Sequence, residues 1–285
     1  MSGDRPTGAW EDPRRALSRH GLKPKHAWSQ CFLISRSAHE AVVAAADLHA
    51  NDPVVELGAG LGTLTRLLAD TGARVTAVER DPELLAVLKA DVAGPQVRCL
   101  AADVAHLDYA ELHREAGAPL RVVGNIPYSI TGAILRGLVE AREHVARAVL
   151  TVQREVRDRL VAQPGTSAYG ALTVFTTAAF EVTSVRNLSR GTFHPAPRVD
   201  SAIVLLVPRA VPRAVETDAF REVVRGAFAA RRKTLRNALV QAGSAARADA
   251  ALARADIDGQ RRGETLSVAE FDALARAWAV GNTAR

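Results

Sequence analysis

Short apolar runs recur along the chain, each followed by a segment with helical periodicity. The runs are Pro53–Leu57 (PVVEL), Arg74–Glu79 (RVTAVE), 97–100 (VRCL), 120–123 (LRVV) and 146–152 (ARAVLTV). Runs this short and this rich in β-branched residues predict strands buried on both faces. The segments between them carry helix starts. Ser37 with Glu40 three residues on predicts a helix from 38 to about Asp47. Gly58, Gly60 and Gly62 open a helix through about Ala69, and Asp81-Pro82 supplies an N-cap and a first helical position. The alternation predicts an α/β fold: a Rossmann-like, mainly parallel sheet with helices on both faces.

After Gln153 the alternation stops. Residues 169–180 predict a helix, and 181–188 with 201–207 predict two strands that close the sheet as an antiparallel pair. Between them, Phe193-His194-Pro195-Ala196-Pro197 predicts a rigid loop. Pro208 and Pro212 break the chain, and 218–279 reads as alanine-rich helix throughout. The expected division is a Rossmann-like domain with a basic N-terminal arm over 1–209 and a small all-α domain over 210–285.

Composition narrows the class. The chain has 285 residues, 48% hydrophobic and 24% charged, ordinary values for a soluble globular protein. No apolar run approaches the roughly 20 residues of a membrane span. The polar first residues show no secretory signal pattern. Cys31 and Cys99 form neither a zinc spacing nor a disulfide framework. The expectation is a cytoplasmic monomer without metal and without a membrane partner. A net charge of +6 favours a polyanionic partner, and two clusters sharpen it. Arg14, Arg15, Arg19, His20, Lys23, Lys25 and His26 form an arm suited to phosphates. Arg225, Arg231, Arg232, Lys233 and Arg236 form a second cluster, in which Arg225, Arg232 and Arg236 fall on a helical face away from the apolar Val224, Phe228, Leu235 and Leu239, with no acid from 223 to 240. A solvated surface is the alternative in both cases.

Two stretches carry candidate chemistry. Gly58, Gly60 and Gly62 follow a predicted strand, and Glu79 ends the next, about 20 residues on. There an acid can accept hydrogen bonds from ribose hydroxyls. This pattern points to an adenosine-containing cofactor, with NAD and S-adenosylmethionine both open. Glu56 just before the glycines tilts the choice: it would repel a pyrophosphate and tolerate a cationic sulfonium. Asp103 ends the third strand, placed to reach an adenine amino group, or simply to cap a loop.

The second stretch is Asn125-Ile126-Pro127-Tyr128, after the fourth strand. An adenine N6 amine is a poor nucleophile because its lone pair is delocalised. Acceptors on both N–H bonds, from the Asn125 side chain and the Pro127 carbonyl, favour a pyramidal nitrogen. Proline holds that carbonyl still. Tyr128, with Phe193 as a second ring, can stack on the base and offset part of the cost of extruding it. An Asn-Pro turn with a core tyrosine is the plainer alternative.

With these residues in view, the chain resembles the KsgA/RsmA-type small-subunit rRNA adenine dimethyltransferases, relatives of the Erm resistance methylases. The resemblance covers 30–33, 56–62, Glu79, Asp103, 125–128 and 193–201 (FHPAPRVDS). It also covers 230–237 (ARRKTLRN) and 262–274, and these last two favour KsgA over Erm. It implies transfer of methyl groups from S-adenosylmethionine to two adjacent adenosines in a hairpin loop near the 3′ end of 16S rRNA, on a small-subunit assembly intermediate. It implies a cofactor site lined by Cys31, Leu33, Gly58, Glu79, Asp103 and Asn125. Cys31 and Ser129 stand where the family usually has asparagine. The other readings are an Erm-like methylase of 23S rRNA and a non-catalytic rRNA-binding assembly factor.

Overall fold

The predicted strands form, and lie side by side. In the computed structural model, which describes residues 10–25, 28 and 30–280, the elements run in the following order. They are α1 (Pro13–Arg19), β1 (Phe32–Leu33), α2 (Arg36–Ala46), β2 (Pro53–Leu57), α3 (Thr63–Ala69), β3 (Arg74–Glu79) and α4 (Pro82–Asp91). Next come β4 (Val97–Ala101), α5 (Tyr109–Ala116), β5 (Leu120–Asn125), α6 (Thr131–Glu140), β6 (Val145–Gln153) and α7 (Arg154–Leu160). Then follow α8 (Ala171–Ala179), β7 (Phe180–Leu188), β8 (Phe193–His194) and β9 (Ser201–Pro208). The last are α9 (Asp218–Ala229), α10 (Leu235–Ala242), α11 (Ala245–Arg254) and α12 (Val268–Val280).

Seven strands make one sheet in the order β4-β3-β2-β5-β6-β9-β7. Strands β2 to β6 pair in parallel, and β9 pairs antiparallel with β6, Thr151 opposite Ile203. All five residues of β2 are buried, which is why its sequence is continuous rather than alternating. Side chains such as Val54, Leu68, Val75, Leu88, Val123 and Val149 form the core here. Asp81 caps α4 as expected, its side chain accepting from Glu83 N. The start of α2 differs: Ser35, not Ser37, is the cap, accepting from Ala38 N at 3.3 Å, and Glu40 pairs with Arg36 instead.

Two compact units divide the described chain. One comprises 10–157 with Thr183–Pro208; the other comprises Asp158–Val182 with 209–280. The helix at Ala171–Ala179 therefore groups with the C-terminal helices, whereas the sequence division at 209 put it in the first domain. Its Val174 and Ala178 pack in one cluster with Phe220, Leu239, Phe271 and Trp278. That shared core, formed by residues distant in sequence, holds the second unit together.

Candidate active site

The site forms where β3, β2 and β5, adjacent in the sheet, reach their carboxyl ends. Open α/β sheets bind ligands at this edge. The loop after β2 carries the glycines, β3 ends on Glu79, and β5 ends on Asn125. Gly60 takes φ +58°, and a Cβ there would lie 3.4 Å from the Phe32 ring. A side chain would both strain the backbone and fill the space between loop and ring.

Glu79 is buried, and its carboxylate ties the loop to the next helix. Oε2 accepts from Gly60 N at 2.9 Å, and Oε1 accepts from Asp81 N at 2.8 Å. Burial raises its pKa above the usual range, against the pull of these backbone donors. Glu56 lies deeper. It accepts from Thr65 Oγ1 at 2.5 Å, and burial, with the nearby Glu79 charge, pushes its pKa up to about 8. Such a carboxyl is neutral at pH 7 until a cation comes beside it. Asp103 stands at the rim: its Oδ1 accepts from Ala105 N at 3.0 Å and its Oδ2 from Arg80 Nη1 at 3.0 Å. It does not line the cavity, although its neighbour Val104 does.

The Asn125 side chain is oriented by its own chain. Nδ2 donates to the Cys31 carbonyl at 2.9 Å, which leaves Oδ1 as the end able to accept from a ligand. Thus Cys31 contributes through its backbone, and burial keeps its thiol protonated. Pro127 has φ −58° and ψ 133°, and one lone pair of its carbonyl takes Ile130 N–H at 3.2 Å. The Tyr128 ring is half-buried, and its hydroxyl meets Ser201 Oγ at 2.6 Å. Ser201 itself is fully buried at the start of β9. The phenol is thereby held at its far end, and burial raises its pKa. Cys31, Leu33, Gly58, Glu79, Asn125 and Tyr128 all line one cavity, together with Gly60, Pro127 and Ser129.

The chain matches the family described as Ribosomal RNA adenine dimethylase over residues 21–278. It belongs to that family. It is 47% identical over 273 residues to "Ribosomal RNA small subunit methyltransferase A" of Myxococcus xanthus, covering 94% of this chain and 95% of that one. Among solved structures it is similar to a dimethyladenosine transferase from Plasmodium falciparum. That likeness has a TM-score of 0.73 and 25% identity, covering 85% of this chain and 95% of the other. The 23S rRNA methyltransferase ErmE gives a TM-score of 0.65 at 31% identity, covering 87% and 99%.

For a member of this family, the donor set fits S-adenosylmethionine. The glycine loop leaves room for a ligand to approach the backbone. Glu79 offers a carboxylate at the ribose position, and a neutral buried Glu56 can ionise against a positive charge. Trp28, Gln30 and Arg80 also line the cavity and were not singled out from the sequence as site residues. The Arg80 guanidinium lies 4.6 Å from the centre of the Trp28 ring, and Gln30 Nε2 donates to the buried Asp81 at 2.7 Å. Gln30 falls in the 30–33 stretch of the resemblance without a role assigned to it, and no local pattern marks Trp28 or Arg80, which meet through a tertiary contact.

Three expectations need correction. Phe193 forms β8 with β1, Leu33 opposite it, and is 3% exposed in the core. A buried ring cannot stack on an extruded base. Much of the basic arm is tied to acids: Arg14 pairs with Asp12, Arg19 with Glu11 and Asp91, and Lys25 with Asp81 and Glu83, and His20 Nε2 lies 3.0 Å from Asp91, whereas Arg15 and Lys23 are exposed with no ion pair among the described residues. His26 lies outside the described residues. The C-terminal cluster is not one helix, since α9 ends at Ala229 and α10 begins at Leu235. Within it, Arg236 grips Asp249 at 2.5 and 2.8 Å. Arg231 donates to the Ser167 and Tyr169 carbonyls at 2.8 and 2.9 Å and lies 3.6 Å from Glu264. Arg225, Arg232 and Lys233 remain exposed, with no ion pair among the described residues.

Proposed function

We propose that the protein transfers methyl groups from S-adenosylmethionine to the N6 amines of two adjacent adenosines in a hairpin loop near the 3′ end of 16S rRNA. The substrate is a small-subunit assembly intermediate in the cytoplasm, and the enzyme works as a monomer without metal. The observation that carries the reading is the Asn125 amide, anchored through Nδ2 on Cys31 so that Oδ1 is left to accept. Membership of the dimethylase family, and 47% identity to a small-subunit methyltransferase, support it.

S-adenosylmethionine, when bound, supplies a methyl group on positively charged sulfur. Gly58, Gly60 and Glu79 would hold its ribose, with Leu33 and the Cys31 backbone beside them, and Asp103 at the rim would reach the outer, amino edge of its adenine through a lone pair that Ala105 and Arg80 leave open. Asn125 Oδ1 and the free lone pair of the Pro127 carbonyl each take one N–H of the target amine. The nitrogen lone pair is then withdrawn from the ring and aimed out of its plane. Both acceptors are fixed before the substrate arrives, so reorganisation adds little to the barrier. No strong base is required, because the amine's proton leaves once the nitrogen has become positive and acidic.

Tyr128 stacks on the extruded base. One such stack is worth roughly 1–3 kcal/mol, against a few kcal/mol for extrusion. Arg225, Arg232 and Lys233 bind phosphates of the RNA. The test is transfer of labelled methyl to unmodified small subunits and, separately, to large-subunit RNA, with product nucleosides resolved. Dimethyladenosine in the small-subunit hairpin is the expected product. Label only in large-subunit RNA would make the enzyme Erm-like, and no label with RNA binding retained would make it an assembly factor.

A further inference from the structure

Three arginines absent from the two basic clusters come from segments that converge on Asp200, at the end of the sheet that also carries the Asn125–Tyr128 turn. Asp200 brings them together. Its backbone carbonyl accepts from Arg154 N at 2.9 Å, and its Oδ1 accepts from Arg190 N at 3.0 Å. Arg198 lies two residues before it on the same strand-entry loop. These backbone positions are therefore clustered around one residue, Asp200, although they span 44 residues of sequence from Arg154 to Arg198. All three side chains are exposed, and none has an ion pair or hydrogen bond among the described residues. The Asp200 side chain is occupied by the Arg190 backbone amide rather than by a guanidinium.

The next residue places this cluster. Ser201, which follows Asp200, holds the Tyr128 hydroxyl at 2.6 Å. Thr151 pairs with Asn125 across β5 and β6, and Arg154 comes three residues later. Three residues of extended chain span roughly 10 Å. The three arginines thus stem from the same end of the sheet as the amine-gripping turn, a distance that exposed arginine side chains can bridge toward the backbone beside an extruded nucleotide.

Extrusion needs such a grip. A base turned out of its stack leaves its flanking phosphates strained and free to swing back, and phosphate contacts fix register and orientation. We propose that Arg154, Arg190 and Arg198 clamp the RNA phosphates flanking the target adenosine and hold the extruded conformation. They would do so on the methyltransferase unit itself, apart from the phosphate contacts of the C-terminal helices. This rests on the functional reading above.

The test compares the full-length protein with a triple Arg154→Gln, Arg190→Gln, Arg198→Gln variant and a triple Arg→Lys variant. Binding of unmodified small-subunit RNA is titrated at several salt concentrations, methyl transfer is followed against RNA concentration, and S-adenosylmethionine affinity is measured by calorimetry. Three lost phosphate contacts on single-stranded RNA should reduce the slope of log affinity against log salt by about 2. The KM for RNA should rise about tenfold or more, by the same loss of charge contacts. Cofactor affinity should be unchanged, and the Arg→Lys variant should keep the wild-type salt slope. If the triple Gln variant fails to fold, each single variant should remove about a third of that change. A wild-type slope and KM in the Gln variants would overturn the proposal. The binding arm is read without turnover. A wild-type protein that binds but never methylates counts against the functional reading, and the slope still decides the clamp.

Discussion

Replacing Glu79 by Gln separates the cofactor role of this residue from its role in the loop. The carboxylate accepts two backbone N–H groups, from Gly60 at 2.9 Å and Asp81 at 2.8 Å, one on each oxygen. Glutamine has one acceptor. Its NH2 end must face Gly60 N–H or Asp81 N–H, leaving a buried donor unpaired at about 1–3 kcal/mol. Removing the charge returns part of this, because burial already raises the Glu79 pKa and the ionised form is disfavoured. The expected loss of stability is about 1–2 kcal/mol. The ligand loses more. Two ribose hydroxyls that donate to a carboxylate form charge-assisted bonds, and weakening them costs about 2–4 kcal/mol, roughly 30- to 700-fold in affinity.

The assays are urea unfolding for stability and calorimetric titration with S-adenosylmethionine and S-adenosylhomocysteine. Both ligands carry the ribose, so both should weaken by the same factor. Unchanged affinity for both would refute the assignment of Glu79 to the ribose. Weakening of S-adenosylmethionine alone would mean that Glu79 reads the sulfonium charge instead.

Other consequences are as direct. Glu56, pushed up to about 8 by burial, keeps in the folded state a proton that the unfolded chain has lost above about 4.3. Stability of the ligand-free protein should therefore fall as pH rises between those values, by about 1.4 kcal/mol per unit from this group. Subtracting Glu56→Gln urea midpoints from wild type isolates that slope, and equal slopes would contradict it. Tyr128→Phe and Ser201→Ala should each slow methyl transfer, with a coupling of about 1 kcal/mol in kcat/KM for the double variant; additive effects would deny that the 2.6 Å contact positions the ring. Arg232→Gln with Lys233→Gln should lower the salt slope of RNA binding by about 1.4, whereas Arg236→Gln should leave it unchanged because Asp249 already holds that guanidinium. Gly62→Ala should destabilise strongly in thermal unfolding, since φ is +75° and the new Cβ would fall 2.4 Å from Val92 Cγ2; an unaltered midpoint would show that the loop repacks freely.

What was legible in the sequence was local. The glycine loop, the acid at the end of β3 and the turn at 125–128 are read from neighbouring residues, because strand, turn and helix start within a few positions of one another. The parallel sheet follows from the runs that bury both faces. What was not legible depends on partners far along the chain. Arg19 is neutralised by Asp91, some 70 residues away, and Arg236 by Asp249 on another helix. An acid-free window therefore says little about a cation's freedom. Phe193 looked like an exposed aromatic in a proline loop until its pairing with β1 turned it into the core. Ser201 and Arg154 gain their places only when β9 lies beside β6, which no local pattern encodes.

The claim on which everything else depends is that Asn125 Oδ1 grips the target amine. Single-turnover methyl transfer to unmodified small-subunit RNA by Asn125→Ala, with RNA affinity measured in parallel, addresses it most directly. Unchanged RNA affinity is expected, with transfer slowed roughly 100- to 1,000-fold, the scale of one lost preorganised contact to the reacting group. Transfer at the wild-type rate would contradict that claim.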